Sequence, residues 1–393
     1  MDLGDSPRSD FLGFELLLED EDRARLHRVR EHMEKHVEPV INDYWTRAEF
    51  PHDLVPGLAG LGIAGLPCDG PGCPGRSALA DGMTALELAR VDPSIQTFFG
   101  VHGGLAMGSI QLCGSEEQKQ RWLPPMARME LLGAFGLTEP DQGSGIAGGL
   151  ATTARRDGAT WVLDGEKKWI GNASFADLVV IWARDVEDDQ VKGFVVARGT
   201  EGMTFEVQRD KIALRVVQNA EIHLRGVRVP EADRLAHASS FADTSKVLKV
   251  TRMGVAWAAT GCARGAYEHA LRYTKEREQF GRPIAGFQLV QDLLVRMLGN
   301  VVAATAMCVR VAQLQDAGAL EDEHASLAKA FTTARMRETV GWAREVLGGN
   351  GILLEHHVGR FVADAEAIYS YEGTREINTL IVGRAITGES AFV

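Results

Sequence analysis

Glu372 lies between Tyr371 and Gly373 in "AIYSYEGTREINTLIVGRAITG", residues 367–388. Thr374 follows as a helix-capping residue, and an apolar run begins behind it. An acid at the mouth of a helix, after an aromatic and before a glycine, can take a proton from a bound molecule or simply close a turn. Four further stretches have residue types suited to holding a partner for it. In "FGLTEPDQGSGIAGG" (135–149), Thr138 offers a hydroxyl, and Gly143, Gly145, Gly148 and Gly149 expose backbone amides. In "KKWIGN" (167–172), Trp169 offers a planar face and Gly171 allows close approach to the backbone. In "KEREQFGRPIAGFQ" (275–288), Arg277 carries a fork suited to phosphate, with Gln279, Phe280 and Gln288 beside it. In "REVLGGNGI" (344–352), Gly348, Gly349 and Gly351 end a helix with free amides. Taken singly, each also reads as plain structure: a glycine loop, a core tryptophan, a solvated helix end, a C-cap.

The elements that position these stretches fall into three regions. Residues 1–130 read as an N-terminal helical domain, with Leu26, Val29, His32 or Met33, His36 or Val37 and Val40 at helical spacing and a second helix over Ala80–Val91. Residues 131–238 switch to short β runs, and Asp164-Gly165 predicts a hairpin turn. That middle domain is expected to be a small β-sandwich or barrel. Residues 239–393 return to the helical period as a four-helix bundle: one helix from about 240, two over 286–317 and 323–347, and a last one after Gly373. Glycines 254, 261 and 265 are expected to let a neighbouring helix approach the first of these. The fold class is thus mainly α with a β middle domain.

The 393 residues carry a formal net charge of −12, which disfavours a nucleic-acid partner because phosphate neutralisation needs a basic face. The five cysteines are scattered and have no close histidines, which argues against a metal site and for a reducing, cytoplasmic setting. The polar start "MDLGDSPRSDF" does not read as a signal peptide, no apolar run is expected to reach transmembrane length, and "ESAFV" is not a peroxisomal tail.

The joint order of T-E-P with G-S, W-I-x-N, R-x-x-F-G with F-Q, L-G-G-N-G and Y-E-G-T resembles the acyl-CoA dehydrogenase and oxidase family over essentially the whole chain. Within it, the chain looks similar to the glutaryl-CoA dehydrogenase group. It looks more so to plant-type short-chain acyl-CoA oxidases, through "YWTRAEFP", "FADTSKVLKVTR", "LRVVQNAEI" and "AREVLGGNGI". The resemblance implies FAD as cofactor, a homotetramer, no stable membrane insertion, and α,β-dehydrogenation of an acyl-CoA to a trans-2-enoyl-CoA with Glu372 as catalytic base. It implies that Leu137, Thr138, Gly143 and Ser144 lie along the flavin, and that Trp169 and Ile170 cover it. Arg277, Phe280, Gln288, Glu345, Gly348 and Gly349 would bind FAD, partly across a subunit boundary, and Thr374 and Glu376 would complete that site. Ser144, Gln96, Arg252 and Gly373 would meet the substrate.

Three positions depart from the family pattern. Gly145 replaces an acid, Gly171 replaces a hydroxyl residue, and Gln96 stands where glutaryl-specific members carry arginine. The expected activity is therefore dehydrogenation of an uncharged short- to medium-chain acyl-CoA with an electron-transfer flavoprotein as acceptor. An oxidase that uses O2, which Gly171 favours, and a non-catalytic flavin- or acyl-binding protein are the alternatives.

Overall fold

The computed structural model describes residues 10–146 and 149–392, so Gly148 of the glycine loop lies outside the described residues. The N-terminal region contains α1 (Asp20–His32), α2 (Glu38–Arg47), α3 (Val55–Ala59), α4 (Ala78–Val91), α5 (Pro93–Phe99), α6 (Gly108–Cys113) and α7 (Glu116–Ala127). A wider π-turn over Met33–Val37 joins α1 to α2, and a longer one over Gly100–Met107 joins α5 to α6. Leu26, Val29, Met33, Val37 and Ile41 form the buried stripe. Ile41 therefore takes the inward place expected of Val40, because it continues the four-residue step from Val37.

The middle region is one curled sheet. Its strands are β1 (Gly133–Gly136), β2 (Thr153–Asp157), β3 (Thr160–Ile170), β4 (Leu178–Asp185), β5 (Val191–Ala197), β6 (Met203–Val207) and β7 (Ala220–Pro230). The main path runs β1-β4-β2-β3-β7-β6, with β5 antiparallel to β4. The hairpin expected at Asp164-Gly165 does not form there. β3 passes straight through, and its pairing with β7 shifts register between Leu163 and Gly165. Asp164 instead accepts a hydrogen bond from the Gly226 amide at 2.7 Å, and Gly165, at φ 148°, sits where a Cβ would come within 2.6 Å of Thr152. The dipeptide makes a bulge, a role open to glycine in a strand. The turn falls between β2 and β3 at Gly158, whose φ is 64°.

The C-terminal region comprises α8 (Phe241–Glu276), a two-residue pairing of β8 (Glu278–Gln279) with β9 (Arg282–Pro283), α9 (Gln288–Asp316), α10 (Asp322–Val346), α11 (Val358–Ser370) and α12 (Arg375–Thr387). The sequence pattern omits α11, because its inward face carries charges. Arg360 is fully buried against Asp92 and donates to the Val91 carbonyl at 3.0 Å. Asp364 accepts from Trp45 Nε1 at 3.0 Å and from the Leu214 amide at 2.6 Å. One short helix thereby ties all three regions together. α9 departs from expectation in another way: by length and hydropathy alone it could cross a membrane, and 39% of its most apolar window is buried within the chain.

α8 spans the molecule and packs closely on α4. A Cβ on Gly261 would lie 2.3 Å from the Leu86 carbonyl oxygen, and one on Gly265 2.1 Å from that of Arg90. Gly254, by contrast, faces open space. The same seam buries charge. Glu87 meets Arg30 at 2.7 Å and Arg90 at 2.9 Å, and Arg90 and Arg264 each reach Glu268. Burial works to raise the Glu87 pKa, but the three arginines hold it far below the usual carboxylate range. Gly261→Ala is expected to destabilise the fold by about 1–3 kcal/mol through overpacking. Gly254→Ala should be neutral or stabilising by up to about 1 kcal/mol, as alanine is in an uncrowded helix interior. Urea unfolding midpoints of the two variants check the contrast.

Candidate active site

α11 ends at Ser370 and α12 starts at Arg375, so residues 371–374 form a tight corner. Glu372 turns that corner at φ 55° and Gly373 at φ 86°. A left-handed backbone suits glycine but costs a glutamate about 1 kcal/mol or more. Thr374 caps α12 as its sequence suggests, accepting from the Ile377 amide at 3.3 Å. Asn378 reaches back to donate to the carbonyls of Gly373 and Thr374, at 2.9 and 3.0 Å. The corner is thus clamped on its C-terminal side.

The Glu372 side chain is half-buried. Thr251 on α8 donates its hydroxyl to Glu372 Oε2 at 3.1 Å. Burial pushes the Glu372 pKa up, while Arg252, the Thr251 hydroxyl and Lys329 pull against it. Arg252 is largely buried, lies 3.9 Å from Asp322, and has no partner for its Nε among the described residues. Tyr371 sits beside Thr97 on α5, next to buried Gln96, and burial raises its pKa. Glu372, Gly373, Thr374, Arg252 and Gln96 are therefore brought into one neighbourhood. Glu376 stands exposed on α12, paired with Arg375 at 3.0 Å.

The long π-turn links this neighbourhood to the sheet. A Cβ on its Gly104 would lie 3.6 Å from the Thr251 methyl, and its Val101 lies 3.0 Å from where Gly171 would carry one. Trp169 is 55% exposed despite its strand setting, and its φ is 64°. Its amide donates to Gln208 at 3.2 Å, and its carbonyl accepts from Asn219 at 3.2 Å. Ile170 beside it is buried. Leu137 is buried, Thr138 half-buried, and Gly143 and Ser144 exposed. This loop is braced by Glu139, which accepts from the Ala151 and Thr152 amides at 2.7 and 2.8 Å and pairs with fully buried Lys167 at 2.8 Å. Burial lowers the Lys167 pKa to about 8 against the pull of Glu139.

A third group lies apart, at the other end of α8. Arg277, Phe280, Gln288, Glu345, Gly348 and Gly349 are all exposed. Asn350 donates to the Tyr273 hydroxyl at 2.9 Å, joining the glycine-rich end of α10 to the end of α8. Nothing among the described contacts connects this group to Glu372 within the chain. Glu38, His269 and His357 also cluster, with ligand atoms within 4.8 Å. The two imidazoles stack at 4.5 Å and 15°, so their lone pairs run side by side rather than converge, and Arg272 sits 3.9 Å from Glu38. That arrangement does not favour a cation.

Two residues at the corner escape the sequence reading, Thr251 and Lys329. Lys329 leaves a signal: it falls on the buried stripe of α10 with Ala325, Ala328, Thr332 and Met336. A lysine there must meet a buried acceptor.

The long π-turn thus links the corner that carries Glu372, a carboxylate of raised pKa, to the strand end that carries Trp169. The profiles named "Acyl-CoA dehydrogenase, N-terminal domain", "middle domain" and "C-terminal domain" match residues 19–130, 134–227 and 241–387. An acyl-CoA dehydrogenase of Bacillus subtilis is 32% identical over 365 residues, covering 92% of this chain and 96% of that protein. The crystal structure of a glutaryl-CoA dehydrogenase from Mycobacterium smegmatis is 40% identical with a TM-score of 0.94, covering 98% and 99% of the two chains. A second glutaryl-CoA dehydrogenase structure from that organism, in complex with FADH2, is 34% identical with a TM-score of 0.95, covering 99% and 100%. The chain belongs to the acyl-CoA dehydrogenase family and is an FAD-dependent enzyme of acyl-CoA dehydrogenation. The exposed, backbone-anchored Trp169 and the glycine at 171 fit a flat ring system laid against β3.

Activity that needs the Glu372 carboxylate is expected to fall as pH drops through its raised pKa. Thr251→Val removes a donor to the charged form and should move that acid limb up. A kcat–pH profile of the two proteins measures the shift.

Proposed function

We propose that Glu372 removes the α-proton of an uncharged short- to medium-chain acyl-CoA, yielding the trans-2-enoyl-CoA. The observation that carries this reading is the corner itself: a half-buried carboxylate, raised in pKa, held by Thr251 and next to Arg252. Glu372 Oε2 is engaged by the hydroxyl, which leaves Oε1 without a protein partner among the described residues to receive the proton. FAD, when bound, supplies the acceptor for the β-hydrogen as hydride. The thioester carbonyl must be polarised as the α-proton leaves, and fixed donors there are commonly worth about 3–4 kcal/mol each. In this reading the backbone amide of Glu372 is one such donor.

The remaining residues take roles by the same match. Leu137, Thr138, Gly143, Ser144, Trp169 and Ile170 hold the flavin, and Thr374 and Glu376 close its site. Ser144, Gln96, Arg252 and Gly373 meet the acyl-CoA. Arg277, Phe280, Gln288, Glu345, Gly348 and Gly349 hold the phosphates and adenosine of an FAD shared between chains. Support for a homotetramer comes from the apolar surface around that group: Phe280 is 93% exposed, Leu289 83%, Val295 68% and Ile352 68%. Covering them in an assembly also accounts for the hydropathy of α9. We place the enzyme in the cytoplasm, delivering electrons to an electron-transfer flavoprotein.

Gly171 supports a second reading, an oxidase. It is buried, and a side chain there would press on Val101, so no hydroxyl is offered from this position. The yield of hydrogen peroxide relative to dye reduction during turnover separates the two.

Glu372→Gln should retain fold and FAD but lose at least about two orders of magnitude in rate, as when a positioned base is removed. Normal flavin bleaching by substrate in that variant would refute the assignment. Substrate choice follows from Gln96, which is neutral and 5% exposed. A terminal carboxylate buried beside it lacks a partner, and an unpaired buried charge costs several kcal/mol. Phe98 and Phe99 are buried alongside, with Phe98 packed on Phe50 at 4.9 Å. kcat/KM for hexanoyl-CoA should therefore exceed that for glutaryl-CoA; a ratio below one contradicts the argument.

A further inference from the structure

Lys329 is fully buried on α10, yet it contacts no carboxylate at salt-bridge distance among the described residues. Its ammonium donates to the Tyr369 carbonyl at 3.0 Å and to the Gly373 carbonyl at 2.5 Å. Those two carbonyls bracket the corner: one belongs to the last turn of α11, the other immediately follows Glu372. A cation from a different helix thus holds both ends of the segment that carries the left-handed Glu372. Asn378 grips the Gly373 carbonyl as well, but without charge.

We propose that Lys329 is a positioning residue for Glu372, its ammonium locking the 369–373 corner in its catalytic conformation through the Tyr369 and Gly373 carbonyls. The proposal rests on the reading of Glu372 as base. Removing a buried charge normally relieves a fold, since an ammonium without a close counter-ion is costly to bury. A neutral apolar side chain of similar length would fill the space but leave the Tyr369 and Gly373 carbonyls without this donor. The retained ammonium therefore points to the corner whose carbonyls it holds.

The surroundings of both groups fit this role. Glu372 is faced by Thr251 and Arg252 from α8 and by Lys329 from α10, with Tyr371 adjacent in its own corner. Lys329 is faced by Glu372, by Arg252 and by Glu376 of α12. Burial lowers its pKa to about 8, and Glu372 pulls the other way, so the cation persists at neutral pH. Arg252 reaches Glu372 from α8, whereas Lys329 acts through the corner that bears it.

The test compares Lys329→Met and Asn378→Ala with the wild-type holoenzyme and with Glu372→Gln. The substrate is the best member of a saturated acyl-CoA series, with a dye as acceptor. K329M keeps side-chain length and drops charge and donors. It should fold and retain FAD, and should lose about tenfold to a hundredfold in kcat with KM little changed, as for a misplaced catalytic group. Its acid limb in kcat should move up, as expected when a nearby opposite charge is removed. N378A should lower kcat without moving the limb. K329Q gives the same reading if K329M does not accumulate as folded protein. A K329M enzyme with wild-type kcat and limb overturns the proposal, and so does one whose loss follows FAD content and stability with the limb unmoved. If E372Q turns over normally, the base assignment has failed instead. If E372Q is silent while K329M behaves as wild type, the role of Lys329 alone has failed.

Discussion

The contact of α8 with α4 at Gly261 and Gly265 is the constraint on which the rest of the molecule is built. Two backbones meet where no side chain fits, and buried arginines and glutamates zip the same seam. Ion pairs in such a place add little net stability over an apolar contact, but breaking one leaves an uncompensated charge. The seam therefore fixes register more than it adds energy. Thr251 and Arg252 lie about ten residues upstream on the same rigid helix, roughly 15 Å along its axis. Their position against Glu372 is set by how α8 is seated on α4.

Glu372 shows how a chain can hold an acid in a conformation it disfavours. The corner is stitched from four sides: Thr251 on the carboxylate, Asn378 on the following carbonyls, Lys329 on the flanking ones, and Thr97 on Tyr371. Arg360 and Asp364 anchor α11, the helix that delivers the corner, to the other two regions. Strain at one residue is thus shared among contacts drawn from the whole fold.

Much of this was legible in the sequence, and the exceptions have physical causes. The helix–sheet–helix order shows because hydrophobic spacing changes period near residue 131 and again near 240. Thr374 shows as a cap because short hydroxyl side chains before apolar runs have few other uses. Asp164-Gly165 misled because the same dipeptide serves a bulge as well as a turn, and only the Gly226 amide and the crowding at Thr152 decide between them. The glycines at 254, 261 and 265 look alike in sequence, yet only the last two touch a neighbour. α11 was hidden by charges on its buried face, and Lys329 because its place on the buried stripe of α10 does not say which acceptors it meets. The Arg277 and Gly348 group was legible as residue types but not as a site, since within one chain it faces solvent.

The setting of Trp169 gives the protein a built-in optical reporter. Of the seven tryptophans, Trp122, Trp161, Trp182 and Trp257 are buried and Trp45 and Trp342 half-buried, which leaves Trp169 as the exposed indole. An indole exposed to water is expected to emit at the red edge of the protein's fluorescence, where red-edge excitation favours it over the rest. In the proposed reading, where the flavin lies on its face, that component is the first expected to be quenched, so cofactor loading could be followed from the protein's own light, without substrate or turnover.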